Sequence, residues 1–182
     1  MTIAVVIPSG FVSIQGQTYR AALGKGGVRS DKGEGDGATP VGLLPLRRVL
    51  YRADRLPAPD CAVPVEPIAP DDGWCDAPDS PQYNRRVRLP FDASAEELWR
   101  TDGVYDVIGV LGWNDQPVVR GRGSAIFLHV AREDLAPTEG CIALRLSDLL
   151  ALLGTGLTGL EVLPPQRSAS VMAPAAEPRP AA

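Results

Sequence analysis

The sequence predicts a mostly β protein with long loops and two short helices. Short runs of β-branched and aromatic residues recur along the chain, and turn residues separate them. The composition agrees, because 45% hydrophobic and 22% charged residues over 182 positions are typical of one globular domain with its own core. We expect this domain to span residues 1–165. We expect the Ala/Pro-rich residues 166–182 to form a disordered tail, since they have little apolar surface to bury.

Six runs are the strongest strand candidates. Ser9-Gly10 and Gln15-Gly-Gln17 separate the first three runs, a pattern that predicts successive hairpins. In chain order the predicted strands are Ile3–Ile7, Phe11–Ile14, Thr18–Leu23, Tyr105–Leu111, Ser124–Ala131 and Leu160–Leu163.

Two helices are predicted from capping signals. Ser94-x-x-Glu97 has the spacing of a capping box and predicts a short helix that runs through Leu98 and Trp99. Ser147 is the predicted cap of a second helix over Asp148–Leu153, which Gly154 would end.

Residues 24–42 are rich in turn residues and contain three spaced glycines. This spacing resembles a phosphate-binding loop, but Thr39-Pro40 stands where the phosphate-binding helix would have to start. We therefore interpret the segment as a loop that leads into a strand.

Residues 52–82 form a second long connection, dense in Pro and Asp. Connections of this length in a compact domain are usually functional or partly disordered. Trp74 either anchors the segment as a cover over the sheets or forms a wall of a substrate cleft, and the sequence leaves both interpretations open.

Charge and hydropathy exclude two classes of protein. The formal net charge of −4 and the scarcity of aromatic residues argue against a nucleic-acid binder. No apolar run is long enough to span a bilayer. Met1–Pro8 lacks a charged segment before its short apolar run, so it is predicted to be a strand rather than a signal peptide.

His129 and Cys141 are the most informative residues for function. His129 is the only histidine and lies near the end of an apolar run, and Cys141 follows it by 12 positions, directly after Gly140. A cysteine needs a nearby base or cation to act as a nucleophile at neutral pH. Gly140 permits a turn that could aim amide groups at an oxyanion. These residues predict a cysteine acyl-transfer enzyme; the alternative is that Cys141 is a buried core residue.

Three cysteines are too few for a disulfide-dense scaffold, and whether Cys61 and Cys75 pair stays open. A zinc site built from the three cysteines and His129 is conceivable. The chain has no Cys-x-x-Cys clip, however, so we expect neither a metal nor a cofactor.

The motif residues resemble those of the YkuD-type L,D-transpeptidase catalytic domain. That family carries an upstream histidine and then Ser/Thr-His-Gly-Cys, and this chain offers His129 followed by Thr138-Glu-Gly-Cys-Ile142. Gly35-Asp-Gly-Ala-Thr-Pro-Val-Gly42 is similar to the family's Thr-Pro-x-Gly turn. Glu139 replaces the second histidine, and the spacing between His129 and Cys141 is several residues shorter than usual. The chain resembles a divergent, compact member.

The resemblance implies a fold, a reaction and partners. The fold would be a sandwich of two mixed sheets. Cys141 would attack a peptidoglycan stem peptide, His129 would accept the thiol proton, and the amides of Gly140 and Cys141 would stabilise the oxyanion. An amine would then accept the acyl group; a carboxypeptidase or endopeptidase that uses water and an inactive peptidoglycan-binding module are the alternatives. We expect a monomer that carbapenem β-lactams could inhibit.

The same resemblance implies a location in the periplasm or cell envelope, although no signal peptide is recognised and a cytoplasmic location stays open. Glu139 could bind the ammonium of the acceptor, orient His129 or pair with a surface arginine. The carboxylate of the donor peptide needs a cation, and the candidates, each of which could instead be a solvated surface charge, are Arg122, Arg85 and Arg145.

Overall fold

The computed structural model describes residues 1–166, so the predicted tail lies almost wholly outside the described residues. These residues form fourteen strands and one helix. The strands are β1 (Ile3–Ile7), β2 (Phe11–Ile14), β3 (Gln17–Ala22), β4 (Val28–Arg29), β5 (Thr39–Pro40), β6 (Gly42–Tyr51), β7 (Val65–Pro67), β8 (Asp72–Cys75), β9 (Arg86–Arg88), β10 (Ala95–Glu97), β11 (Val107–Leu111), β12 (Phe127–Val130), β13 (Ile142–Leu144) and β14 (Gly159–Val162). The helix, α1, spans Leu146–Gly154.

Two mixed sheets pack face to face and share two strands. The first half of β6 pairs with β14 and its second half pairs with β11, so this strand passes from one sheet to the other. Strand β3 does the same, because it pairs with β2 and then with β13. Each sheet contains a parallel pair, β1 with β14 in the first and β12 with β13 in the second. The predicted mostly β sandwich is confirmed, and the shared strands close it into a flattened barrel.

The larger apolar cluster fills the space between the sheets. In β1 the alternate residues Ala4 and Val6 are fully buried in this interior, whereas Val5 and Ile7 are exposed. Leu44 of β6 and Leu160 of β14 are buried in the same cluster. The helix adds Leu149 and Leu152, which are fully buried in the same cluster. Because the sheets and the helix share this core, the residues that position the site rest on a rigid base.

A smaller apolar cluster lies on the outer face of the second sheet. Strands β11 and β12 are buried on both faces, so that Leu128 points into the sandwich while Phe127 points outward. The covering segment, residues 68–106 between β7 and β11, carries the three-stranded sheet β10-β8-β9. Trp74 of β8 meets Phe127 edge to face at 5.1 Å between ring centroids. This contact agrees with the interpretation of Trp74 as the apolar anchor of a cover.

The prediction of a helix from Ser94-x-x-Glu97 is wrong. Ala95–Glu97 instead form β10, whose residues pair with Gly73–Cys75 of β8. A three-residue strand gains its hydrogen bonds from a partner that is distant in sequence, and tertiary pairing of this kind overrides a local capping signal.

The second helix exists, but Ser147 does not cap it. The helix begins at Leu146, and Arg145 occupies the N-cap position without a side-chain hydrogen bond. Gly154 is the last helical residue rather than the residue after the helix. Within residues 1–166, α1 is the single α-helix, and no helix there has the length and apolar character needed to cross a membrane.

Candidate active site

A cleft of about 440 Å³ lies between the outer face of the second sheet and the covering segment. The sheet contributes His129 and Ala143, with Cys141 just ahead of β13. The cover contributes Asp76, Glu96, Arg100, Val104 and Tyr105. The rim comes from the loops around residues 32–35 and 132–139.

The strand register explains why His129 and Cys141 meet in this cleft. Strands β12 and β13 are parallel, with Leu128 opposite Ile142 and His129 opposite Ala143. Neighbouring residues in register point to the same face of a sheet, and alternate residues along a strand share a face. Cys141 therefore faces the same side as Ala143 and lies diagonal to His129.

Cys141 is a buried, neutral thiol in the resting protein. Its side chain is 7% exposed, and its Sγ donates to the carbonyl of Ala125 at 3.2 Å. The amide of Phe127 donates to the same sulfur at 3.4 Å. Burial, followed by the negative charge of Glu96, raises the pKa of Cys141 to about 12. The thiolate is thus scarce at neutral pH until a base removes the proton.

His129 is a neutral imidazole in the lining of the cleft. Its Nδ1 lies 2.9 Å from the carbonyl oxygen of Val130, which can only accept, so Nδ1 carries the proton. The lone pair is then on Nε2. Burial lowers the pKa of His129 to about 4, and its ring meets that of Tyr105 edge to face at 5.3 Å. The resting pair is therefore imidazole and thiol rather than an ion pair.

The turn before Cys141 is held by Thr138. Its hydroxyl donates to the carbonyl of Cys141 at 2.7 Å and accepts from the amide of Gly140 at 3.2 Å. Gly140 has φ +129°, and a Cβ there would lie 2.7 Å from the carbonyl oxygen of Ala38. Only glycine fits this position. Because the Gly140 amide already has a partner in Thr138, an oxyanion would share that donor or displace the hydroxyl.

The Thr-Pro-x-Gly segment contacts the backbone of Cys141 through Thr39. Thr39 is fully buried, and its hydroxyl accepts from the amide of Gly24 at 2.9 Å. The same hydroxyl donates to the carbonyl of Cys141 at 3.5 Å. Thr39 thus connects the N-terminal half of the chain to the residue that carries the thiol.

Glu139 forms an exposed ion pair at the rim of the cleft. Its Oε1 lies 2.8 Å from Nζ of Lys25, with the two side chains 76% and 59% exposed. Its negative charge adds slightly to the elevation of the Cys141 pKa. The pairing partner is a lysine and not a surface arginine, and no hydrogen bond joins Glu139 to His129.

The three cysteines are free, so Cys61 and Cys75 do not pair. Within residues 1–166 no group of three or more His, Cys, Asp or Glu side chains is arranged to hold a metal ion.

The comparisons identify the family. The family model of YkuD, the L,D-transpeptidase catalytic domain, matches residues 3–163. The chain belongs to the YkuD family. Among solved structures, L,D-transpeptidase 1 of Mycobacterium tuberculosis is similar to this chain, with 14% identity and a TM-score of 0.38 over 90% of this chain. The present chain spans 62% of that chain. No curated protein matches the sequence significantly.

Four of the predicted substrate-binding residues of this YkuD domain lie away from the cleft. Arg85, Arg122 and Arg145 are exposed, and none of them is among the lining residues. Arg122 accepts a hydrogen bond from Trp113 through its backbone carbonyl. Trp74 packs behind the cleft, and its Nε1 donates to Asn84 at 2.9 Å.

Three other cations line the cleft, and the sequence analysis missed them. Lys32 has a side chain only 2% exposed and donates to the Gly33 carbonyl and to Asp36. Arg100 pairs with Asp102. Arg132, two residues after β12, has no salt-bridge partner within residues 1–166. Its position just past His129 was the one signal in the sequence that could have pointed to it.

Glu34 is the centre of a hydrogen-bonded polar network in the wall of the cleft. Its Oε2 accepts hydrogen bonds from Tyr83 and, at 2.7 Å, from Ser124. The hydroxyl of Tyr83 also accepts from the amide of Gly123 at 3.1 Å. These contacts join three segments that are far apart in sequence, so no local sequence motif predicts them.

Proposed function

We propose that this chain is a cysteine-dependent L,D-transpeptidase that acts on peptidoglycan stem peptides. The supporting observation is the position of Cys141 and His129, which face one cleft from a parallel strand pair in a chain of the YkuD family. A buried core cysteine would not line a cleft with the chain's only histidine. This supports the catalytic interpretation over the inactive binding module.

The first half of the reaction starts from the neutral pair. Nε2 of His129 takes the proton of Cys141 as the sulfur attacks the carbonyl carbon of the donor amide. A carbon–sulfur bond forms, the carbon–nitrogen bond breaks, and the imidazolium returns its proton to the departing amine. The product is a thioester on Cys141. Coupling proton transfer to attack is necessary because burial keeps the free thiolate scarce.

The tetrahedral intermediate needs donors for its oxyanion. We assign this role to the amides of Gly140 and Cys141, which adjoin the sulfur in the turn that Thr138 holds. Removing one donor of this kind typically lowers kcat by about 10²–10³-fold.

In the second half of the reaction, an amine attacks the thioester and His129 again mediates proton transfer. Glu139 is a candidate for binding the incoming ammonium at the rim. Its pair with Lys25 is exposed, and exposed pairs contribute only about 0–1 kcal/mol, so the carboxylate can exchange partners at little cost. Because the substrate is peptidoglycan, we place the protein's action in the cell envelope.

Product analysis tests this function. The protein is incubated with a stem tetrapeptide, with and without an amine acceptor, and the products are separated by mass. We expect a cross-linked product only when the acceptor is present, and no reaction with Cys141→Ser. Release of the terminal residue at the same rate without an acceptor would assign a carboxypeptidase instead. The absence of any product would contradict both enzymatic assignments.

A further inference from the structure

Asp76 and Glu96 bring two carboxyl groups into the wall of the Cys141 cleft. Asp76 directly follows β8, and Glu96 is the central residue of β10, which pairs with β8. The amide of Asp76 also donates to the carbonyl of Ser94 at 3.2 Å, so both carboxyl groups are held by one small sheet. Their position is thus fixed by backbone pairing.

The Asp76 carboxylate lacks a hydrogen-bond donor. Its Oδ1 is buried and accepts no hydrogen bond, and it is the single buried side-chain nitrogen or oxygen of this kind among residues 1–166. Nearly all buried polar atoms in folded proteins have a partner, so an exception in the wall of a cleft requires an explanation. The second oxygen of the carboxylate, Oδ2, is not buried in this way and also accepts no hydrogen bond within residues 1–166, so a ligand in the cleft could donate to it.

Glu96 adds a second acceptor that no cation neutralises. Its Oε1 accepts a hydrogen bond from the Tyr105 hydroxyl at 2.5 Å, and burial together with the nearby Asp76 raises its pKa. Arg100 is close enough to oppose this rise, but its guanidinium donates to Asp102 at 2.5 Å and 3.1 Å. Within residues 1–166 neither Asp76 nor Glu96 forms a salt bridge.

We propose that Asp76 and Glu96 form a subsite that binds a primary ammonium group of the peptide substrate. An ammonium group is compact, carries three donors and one positive charge, and would donate to the accessible oxygen of Asp76 and neutralise the unpaired carboxylate while relieving the repulsion between the two carboxyl groups. The inference rests on the proposed function, because it assumes that a peptide reaches Cys141. The ammonium group could belong to the side chain of the acyl donor or to the acceptor amine.

Binding to a variant without the nucleophile tests the subsite apart from catalysis. The probe is a stem tetrapeptide with lysine at its third position, compared by calorimetry with its Nε-acetyl form on Cys141→Ala. We expect the free amine to bind at least about tenfold more tightly, as befits a charge-assisted hydrogen bond. The further change Asp76→Asn should remove most of this preference. Equal affinity for the two peptides on Cys141→Ala, together with unchanged amine transfer in Asp76→Asn, would overturn the proposal.

Two further variants control for folding. Glu96→Gln keeps an oxygen that can accept from Tyr105, so it should fold normally and still lose part of the preference for the amine. Asp79→Asn removes a charge from the same loop, where the side chain is fully exposed, and should leave the preference unchanged. Loss of the preference in Asp79→Asn but not in Asp76→Asn would contradict the assignment.

Kinetics on the wild-type thiol separate the sources of the amine. If the subsite binds the ammonium group of the acyl donor, Asp76→Asn slows acylation of Cys141 by the lysine peptide and leaves acylation by the acetylated peptide unchanged. If the subsite binds the acceptor amine, acylation is unchanged and transfer of the acyl group to an amine slows. Tight, amine-dependent binding without any acylation would refute the proposed function and leave the subsite standing. Acylation with no dependence on Asp76 in either step would refute the subsite alone.

Discussion

The larger and the smaller apolar clusters differ in what they bury. The larger cluster, between the two sheets and under α1, consists of aliphatic side chains such as Leu152 and Leu160. The smaller cluster, between the second sheet and its cover, contains Cys141 and Tyr105. His129 and Glu96 adjoin it in the cleft. The buried members of the larger cluster are thus all non-ionisable, whereas those of the smaller cluster include a thiol and a phenol.

This difference separates the source of stability from the source of reactivity. Aliphatic packing stabilises the sandwich without any dependence on pH. In the smaller cluster, burial holds the thiol and the imidazole neutral, with pKa values of about 12 and about 4. Under the proposed mechanism, the same burial that opposes charge at rest requires proton transfer from Cys141 to His129 to accompany attack by the sulfur.

The largest expected effect concerns His129. We predict that His129→Ala lowers the rate of Cys141 acylation by about 10²–10⁴-fold, since a positioned general base typically contributes that much. The measurement is single-turnover acylation, accompanied by thermal unfolding of both proteins. If His129 only fills the smaller cluster, melting temperature will fall while the reactivity of Cys141 toward iodoacetamide stays the same.

A substitution in the larger cluster should reduce stability and leave acylation nearly unchanged. We predict that Leu152→Ala lowers the free energy of unfolding by about 2–5 kcal/mol, because the fully buried side chain leaves a cavity. Acylation of Cys141 under native conditions should be nearly unchanged. Urea unfolding and acylation kinetics check the two halves of this expectation. A comparable loss of acylation rate in folded Leu152→Ala would show that the two clusters are coupled.

The smaller cluster should make stability depend on pH through His129. Its pKa is lowered from 6.5 to about 4, so the unfolded chain binds a proton first as the pH falls. Stability is therefore lost between about pH 6.5 and pH 4, by roughly 3 kcal/mol at 1.36 kcal/mol per pKa unit. His129→Gln should flatten this part of the profile. Because His129 is the only histidine, a profile that keeps its slope in the variant would contradict the assignment.

Glu139 should give the smallest effect, since it lies at the exposed rim. Removing its charge in Glu139→Gln should lower the pKa of Cys141 slightly and speed alkylation, and Lys25→Gln should act in the opposite sense. If Glu139 binds the acceptor, transfer from the thioester to an amine will also slow. Slower alkylation in Glu139→Gln would instead indicate that Glu139 stabilises a protonated His129, and no change in any step would leave Glu139 as a surface ion pair.

The sequence predicted those features that depend on local pattern. Ile3–Ile7 and Phe11–Ile14 are strands with the predicted bounds, because alternating β-branched residues and tight turns encode hairpins locally. Cys141 and His129 were recognisable because the spacing around Gly140 is itself the motif. Strand β10 was mistaken for a helix because its partner, β8, is about twenty residues away in sequence and its pairing has no local signature.

Contacts between residues distant in sequence are also the reason why most of the cleft residues could not be predicted. Lys32, Asp76 and Glu96 come from three separate segments, and only the packing of the cover and of the 32–35 loop around the second sheet brings them into the cleft with Cys141. The predicted arginines were selected for charge alone. Charge does not determine which side of a loop a residue occupies, and Arg85, Arg122 and Arg145 lie outside the cleft.

The most direct test of the account is the intact mass of the protein after exposure to a stem tetrapeptide or a carbapenem. The account predicts one acyl adduct, mapped by peptide analysis to Cys141, formed slowly in His129→Ala and not at all in Cys141→Ala. Cys61 and Cys75 should remain unmodified in the same digest and serve as internal controls. An unmodified Cys141 in folded wild-type protein, or an adduct that persists in Cys141→Ala, would contradict the central claim.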